Sequence, residues 1–257
     1  MKNKFLELMS WEIRDNWAFP ILEIIIALAI VQTLPHITLY HDYYSTGMSL
    51  GGIWTAFFTK TFFVLVLSTA IVFGRSFGES IEKRKLVVLL SYPVSRARLF
   101  LAKYLTNLLM LFLVFGSALL VEGTSLFLFD GVVPPVAWGF TFLILLFEVF
   151  FMGSLMTFLT LATRRFGLPV LVFLVYMFGV QYWIYPNDMP LSALRLDVMT
   201  WRSAYYLETW YHNTLGRGHS GTDFTDANFV TALTFMLGCG LVLFLVSLII
   251  MRRMDLD

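Results

Sequence analysis

Six stretches of the chain stay apolar long enough to cross a bilayer as helices, since about 20 apolar residues span the hydrocarbon core. They fall at 18–34, 53–74, 104–128, 136–162, 168–185 and 229–251. The first follows a leader that carries Glu7, Glu12 and Asp15 and has no small-residue cleavage site, so it reads as a retained helix and not as a secretory signal. The leader has a helical pattern of its own. At 100° per residue, Phe5, Leu6, Leu8, Met9 and Ile13 share one arc, and Lys4, Glu7, Arg14 and Asp15 take the other. This predicts an amphipathic helix over 1–17 lying in the membrane interface. Glu12 breaks the pattern, because it falls on the apolar arc.

The polar interval between the second and third stretches has an order that a plain loop does not need. Glu79, Glu82, Lys83, Arg84 and Lys85 come first, then the apolar run Leu86-Val87-Val88-Leu89-Leu90, then Ser91-Tyr92-Pro93, then a restart through Ser95 and Arg96. Proline pushes Tyr92 out of helical geometry, so a helix here stops near Ser91. Ser95 can cap the helix that follows. A solvated basic loop explains the charges but not the apolar run. The order predicts a short helical docking element over 78–96 for a partner protein, with Arg164 and Arg165, ahead of Gly167 and Pro169, as a second and smaller contact. The apolar run is expected to pack into the partner's cleft or back against the bundle.

The interval 186–228 is too apolar and aromatic for an ordinary loop. Trp201, Tyr205, Tyr206, Trp210 and Tyr211 favour the headgroup zone. Short helices over 191–207 are expected to dip into the outer leaflet, and the glycine-rich 216–226 to turn. Dips of this kind need protein or a wet cavity to satisfy their backbone, which suits a gate on the outer face.

Composition settles the solvent. The chain is 58% hydrophobic and 14% charged, with a mean hydropathy of +0.77, so it lacks the charged surface of a water-soluble domain and the bilayer must be its solvent. A single multi-pass, all-α membrane domain over 1–257 follows. Its net charge of +1 conceals an asymmetry: 14 of the 18 Lys and Arg residues fall in the leader, the 75–103 interval, after the fourth stretch and at the C-terminal end. Arg195, Arg202 and Arg217 sit on the other side. Basic residues stay cytoplasmic, so both termini are predicted to face the cytoplasm across the cell membrane.

Charges within the apolar stretches are functional candidates because lipid burial is costly, and Glu23, Lys60 and Glu148 are three. Lys60 and Glu148 are placed to pair across the second and fourth spans, while Glu23 can snorkel to a helix end. A packing pair or a helix-end charge is favoured over a substrate or proton role. His36, His41, His212 and His219 lie on the predicted outer side at spacings of five and seven, which match no helical ligand pair, so no metal site is assigned. Cys239 is the single cysteine and supports neither a disulfide framework nor a thiolate cluster. Catalytic motifs are absent from the sequence. Gly216-Arg-Gly-His-Ser-Gly-Thr222 lacks the lysine of a phosphate loop, no histidine lies in a span to activate Ser154, and there is no His-Glu-x-x-His. The basic interval has few aromatics, which disfavours nucleic acid against protein as a partner.

Gly78, Glu79, Glu82, Lys85, Leu89-Leu90-Ser91, Pro93-Val94-Ser95-Arg96 and Lys103 in this order resemble the signature of ATP-binding-cassette type-2 permeases, the transmembrane subunits of many exporters. The chain departs from many members at 81–85, where they carry a glycine and a threonine before the leucines. The resemblance implies six spans, an amphipathic leader, an outer helical dip between spans five and six, and a cytoplasmic coupling helix after span two. It also implies a separate cytosolic ATPase subunit holding ATP and magnesium, no cofactor or catalytic site in this chain, and a second permease copy or a related permease. The family's range admits drugs, lipids, polysaccharides, peptides and ions as cargo, or force passed to an outer partner in cofactor maturation. Spans rich in Phe and Leu slightly favour an amphiphilic cargo. A non-transporting anchor or assembly subunit of a larger membrane complex is the rival expectation. That role would not need the Leu86 to Pro93 element.

Overall fold

The computed structural model describes residues 4–17, 20, 22–30, 64–91, 94–130, 135–165, 167–175 and 226–254, and every regular element among them is helical. In chain order these are α1 (Lys4–Asn16), α2 (22–30), α3 (Val64–Glu82), α4 (Lys85–Ser91), α5 (Arg96–Asp130), α6 (Pro135–Thr163), α7 (Gly167–Val175) and α8 (Asp226–Arg253). Among the described residues four helices, in α3, α5, α6 and α8, are long and apolar enough to cross a membrane. They correspond to the predicted second, third, fourth and sixth stretches. The first and fifth are represented by α2 and α7, and the rest of those two stretches lies outside the described residues. So does nearly all of the predicted outer segment 186–228, including its aromatic residues and both of its histidines.

The helix ends follow local chemistry. At the start of α5 the Ser95 hydroxyl accepts from the Arg98 backbone N–H at 3.4 Å, and the Leu99 N–H donates to the Ser95 carbonyl at 3.1 Å, as expected of an N-cap. α4 is described as far as Ser91, and Tyr92-Pro93, on which the proline argument rests, lie outside the described residues. α6 gives way at Arg164, which takes a left-handed φ of 57° while its N–H still reaches the Thr160 carbonyl at 2.8 Å.

One boundary differs from the sequence reading. The second span does not stop at Gly74 but continues as α3 to Glu82, about two turns further. Charge alone does not end a helix when the charges pair along one face. Glu79 bonds both Arg75 and Lys83, each four residues away. The break comes at Arg84, whose φ of 52° turns the chain into α4.

The core is largely aromatic. Tyr104 of α5 packs edge-on against Phe73 of α3, with ring centroids 5.2 Å apart, and against Phe244 of α8 at 4.8 Å. Phe100 fills the space between Phe77 and Phe244 at 5.5 and 5.4 Å. Small residues bring the helices together. A Cβ on Gly153 of α6 would lie 2.6 Å from the Phe73 ring, and one on Gly240 of α8 would lie 2.9 Å from the Phe150 ring. α3 is central and mostly buried, whereas α8 is peripheral and turns Leu241, Val242, Leu245 and Ile249 outward, as a lipid-facing helix does. Hydroxyls inside the bundle bond their own helix one turn back: Thr157 to Gly153, Thr160 to Met156 and Ser247 to Leu243, each at 2.7 Å.

Candidate functional site

Three helices carry polar pairs at i, i+4 on faces that should otherwise be apolar: Glu12 and Asn16 on α1, Ser76 and Ser80 on α3, Lys103 and Asn107 on α5. The i, i+4 spacing aligns each pair on one helix face. The fold turns the three stripes toward one another at the end of the bundle where α1 crosses α3 and α5. Lys103 and Glu12 are each 1% exposed, and Nζ of Lys103 lies 2.7 Å from Oε2 of Glu12. The ammonium also donates to the Ser76 carbonyl at 3.0 Å and to the Ser80 hydroxyl at 3.1 Å. All three of its N–H donors therefore have acceptors. The ring of Trp11 lies under it, 5.4 Å from the nitrogen, on the face that attracts a cation. On the other side, Oε1 of Glu12 accepts from the Asn16 amide and from the Ser76 hydroxyl. Trp17 closes the cluster by donating from Nε1 to Oδ1 of Asn107 at 3.1 Å.

The α3 backbone is irregular where Lys103 reaches it. Arg75–Glu79 is a π turn, in which hydrogen bonding slips by one residue from the α pattern. In an α-helix the Ser80 N–H would bond the Ser76 carbonyl; in the π turn it bonds one residue further back, and the Ser76 carbonyl is left without that donor. The Ser76 carbonyl is taken instead by Lys103 Nζ and by the Ser80 hydroxyl, the latter at 2.6 Å. A side chain from α5 thus supplies what the widened turn removed.

Below this node the predicted docking element is tied to the leader. Lys85 of α4 bonds both carboxylate oxygens of Asp15 at 2.9 and 3.0 Å. Leu86 is fully buried and Leu89 packs partly against the core, so these two members of the apolar run lie back against the bundle. Val88, 61% exposed, faces outward. Glu82, Lys83 and Arg84 are exposed as well, whereas Glu79 is engaged by Arg75 and Lys83. The side chain of Leu90, and Pro93 altogether, lie outside the described residues.

A family model described as ABC-2 family transporter protein matches residues 18–180, well over half of the chain. The chain belongs to the ABC-2 transporter family. No curated protein matches it. The match contains α3, α4, α5 and α6, and with them Ser76, Ser80, Lys103 and the whole docking element. Glu12, Asn16 and Trp17 lie ahead of it. ABC-2 permeases are generally non-catalytic membrane subunits that work with ATPase subunits.

The remaining candidates of this ABC-2 chain scatter. Arg96 turns away from the docking element and donates from Nη1 to the Arg252 and Met254 carbonyls at 3.2 and 2.6 Å, satisfying carbonyls at the C-terminus of α8. Arg164 and Arg165 stand exposed at the end of α6, and among the described residues no hydrogen bond or ion pair joins them to 79–96. Glu148 is 2% exposed within α6, and Glu23 is exposed on α2. Lys60, and with it the predicted Lys60 to Glu148 pair, lies outside the described residues, as do His36 and His41. Lys103 corrects the sequence reading, which counted it among the loop cations: it is a helical residue in an ion pair that is, among the described residues, the most buried. The misfit of Glu12 on an apolar arc was the legible sign of that pair.

Proposed function

We propose that this chain is the permease subunit of an ABC exporter, docked on a cytosolic ATPase subunit through α4 and moving its cargo out of the cell. The observation that carries the reading is the construction of 79–91. A short helix, set off from α3 by the left-handed turn at Arg84, is anchored by Leu86 on one face and by Asp15 through Lys85, and leaves Val88 outward beyond the exposed Lys83 of the turn. A rigid piece held on one face and exposed on the other can pass displacement between a soluble partner and the spans. Two such chains, or this chain and a related permease, would form the translocation path with one ATPase on each. ATP binding closes the ATPase pair, the α4 elements carry the motion to the spans, and the inner cavity narrows as the outer gate opens. Export requires that the outward state hold the cargo less tightly than the inward one.

The test is copurification from the native membrane in mild detergent, comparing wild type with Val88→Asp. Val88 is exposed, so the variant should fold and melt like the wild type. The reading expects a stoichiometric ATPase with the wild type and its loss with Val88→Asp. Other membrane subunits in place of an ATPase would reverse the reading in favour of an assembly subunit.

A further inference from the structure

A buried ion pair is a poor stabiliser, because desolvating both charges offsets most of their attraction. Lys103 and Glu12 nonetheless sit at 1% exposure in a bundle with ample apolar surroundings. What distinguishes the pair from a hydrophobic substitute is where the other two hydrogen bonds of the ammonium go. Lys103 holds the Ser76 carbonyl, which the π turn of α3 leaves without its backbone donor, and the Ser80 hydroxyl, which itself bonds that carbonyl. A π turn accommodates one residue more than the α pattern, and one residue corresponds to about 100° of helix rotation. The face that α3 presents beyond Glu79, and hence the direction in which Arg84 launches α4, depends on the turn staying widened. If the Ser76 carbonyl lost Lys103, it would compete with the carbonyl one residue further back for the Ser80 N–H, and the turn would open and shift between the π and the regular form instead of holding one. Leu86 would then leave its buried site, and Lys85 would swing away from Asp15.

We propose that Lys103, oriented by Glu12, is the positioning residue of the docking element: by occupying the Ser76 carbonyl it keeps Arg75–Glu79 in the π form and so sets the face that α4 turns to its partner. The proposal rests on the permease reading for its consequence in transport, but the structural claim concerns this chain alone. Lys103 acts through Ser76 and Ser80. α1 takes part because it supplies the carboxylate that makes a buried ammonium tolerable at that point, and Asp15, one turn further along α1, steadies α4 itself.

The experiment uses the full chain in lipid nanodiscs, first alone and then with its copurified ATPase, and compares wild type with Glu12→Gln/Lys103→Met and with Ser80→Ala. The double variant removes both charges together and avoids leaving one buried and unpaired. Hydrogen exchange by mass spectrometry reads the amides of 76–82. The double variant is expected to raise exchange there by about tenfold and Ser80→Ala by roughly threefold, with exchange in α6 and α8 unchanged, as for a local opening. In the assembled complex, the ATP-dependent change in exchange over 85–91 should be lost in the double variant while its melting temperature falls by only about 2–8 °C. A purely structural pair would move melting and leave that response intact. Exchange over 76–82 within about twofold of wild type in both variants overturns the proposal. If the double variant does not fold, Ser80→Ala decides by the same criterion. If no ATPase copurifies with the wild type, the permease reading fails, while the exchange of the chain alone still decides whether Lys103 holds the turn.

Discussion

Replacing Lys103 by methionine keeps the unbranched shape and most of the length of the side chain and removes its charge, and the structure sets how much that should cost. The Glu12 carboxylate stays at 1% exposure with its Oε2 facing an apolar thioether, and retains only the Asn16 and Ser76 donors on Oε1. The Ser76 carbonyl loses one donor and the Ser80 hydroxyl loses a partner. Breaking a buried, hydrogen-bonded pair from one side costs about 3–5 kcal/mol. For a chain of this size each kcal/mol lowers the melting temperature by roughly 2–4 °C, so Lys103→Met should melt on the order of 10 °C below wild type. Glu12→Gln alone strands the ammonium and should cost a similar amount. In the double variant neither charge remains, and the loss should fall to about 1–2 kcal/mol, which leaves a coupling energy of several kcal/mol between the two sites. The assay is thermal unfolding in a single detergent, followed by fluorescence-detected size exclusion, for all four members of the cycle. Additive losses, with the double variant as unstable as the sum of the singles, would refute the reasoning, because they would mean that the two charges do not meet in the folded protein.

The second link between leader and docking element should behave differently. Lys85 and Asp15 retain 33% and 25% side-chain exposure, so Asp15→Asn should cost under about 1 kcal/mol in the same melt, and still less in high salt. Gly153→Ala should destabilise by about 1–3 kcal/mol, since its Cβ would meet the buried Phe73 ring at 2.6 Å, and Phe73→Leu in the same chain should recover part of the loss. Arg96→Ala removes the donor to the Arg252 and Met254 carbonyls, and hydrogen exchange over 250–254 should rise by roughly threefold to tenfold with little change elsewhere.

The parts legible from sequence were those set by local patterns. Apolar length located α3, α5, α6 and α8, and the serine before Arg96 located a cap. The end of the second span was misplaced because a run of charge looks like a loop. In fact Arg75, Glu79 and Lys83 pair one turn apart and keep the helix going. The candidate site was half legible. Composition and order drew attention to 79–96, but nothing local says that Leu86 faces inward while Val88 faces outward, or that Arg96 belongs to the C-terminus of α8. The buried node depends on three helices far apart in sequence, and Lys103, read one-dimensionally, is simply the last cation before an apolar span. Only the i, i+4 repetition of polar residues on α1, α3 and α5, together with the misplaced Glu12, marks it in advance. The π turn has no composition of its own and emerges only from the partners of Ser76.

The central claim is that α4 is the surface on which an ATPase sits. The most direct measurement places a photo-activated cross-linking amino acid at Val88, on the exposed face of α4, and in a second chain at Leu241, on the outward face of α8. Both are irradiated in native membranes. The account predicts a covalent adduct with a phosphate-loop ATPase from position 88 and none from position 241. No ATPase adduct from position 88, or equal yields from the two positions, would contradict it.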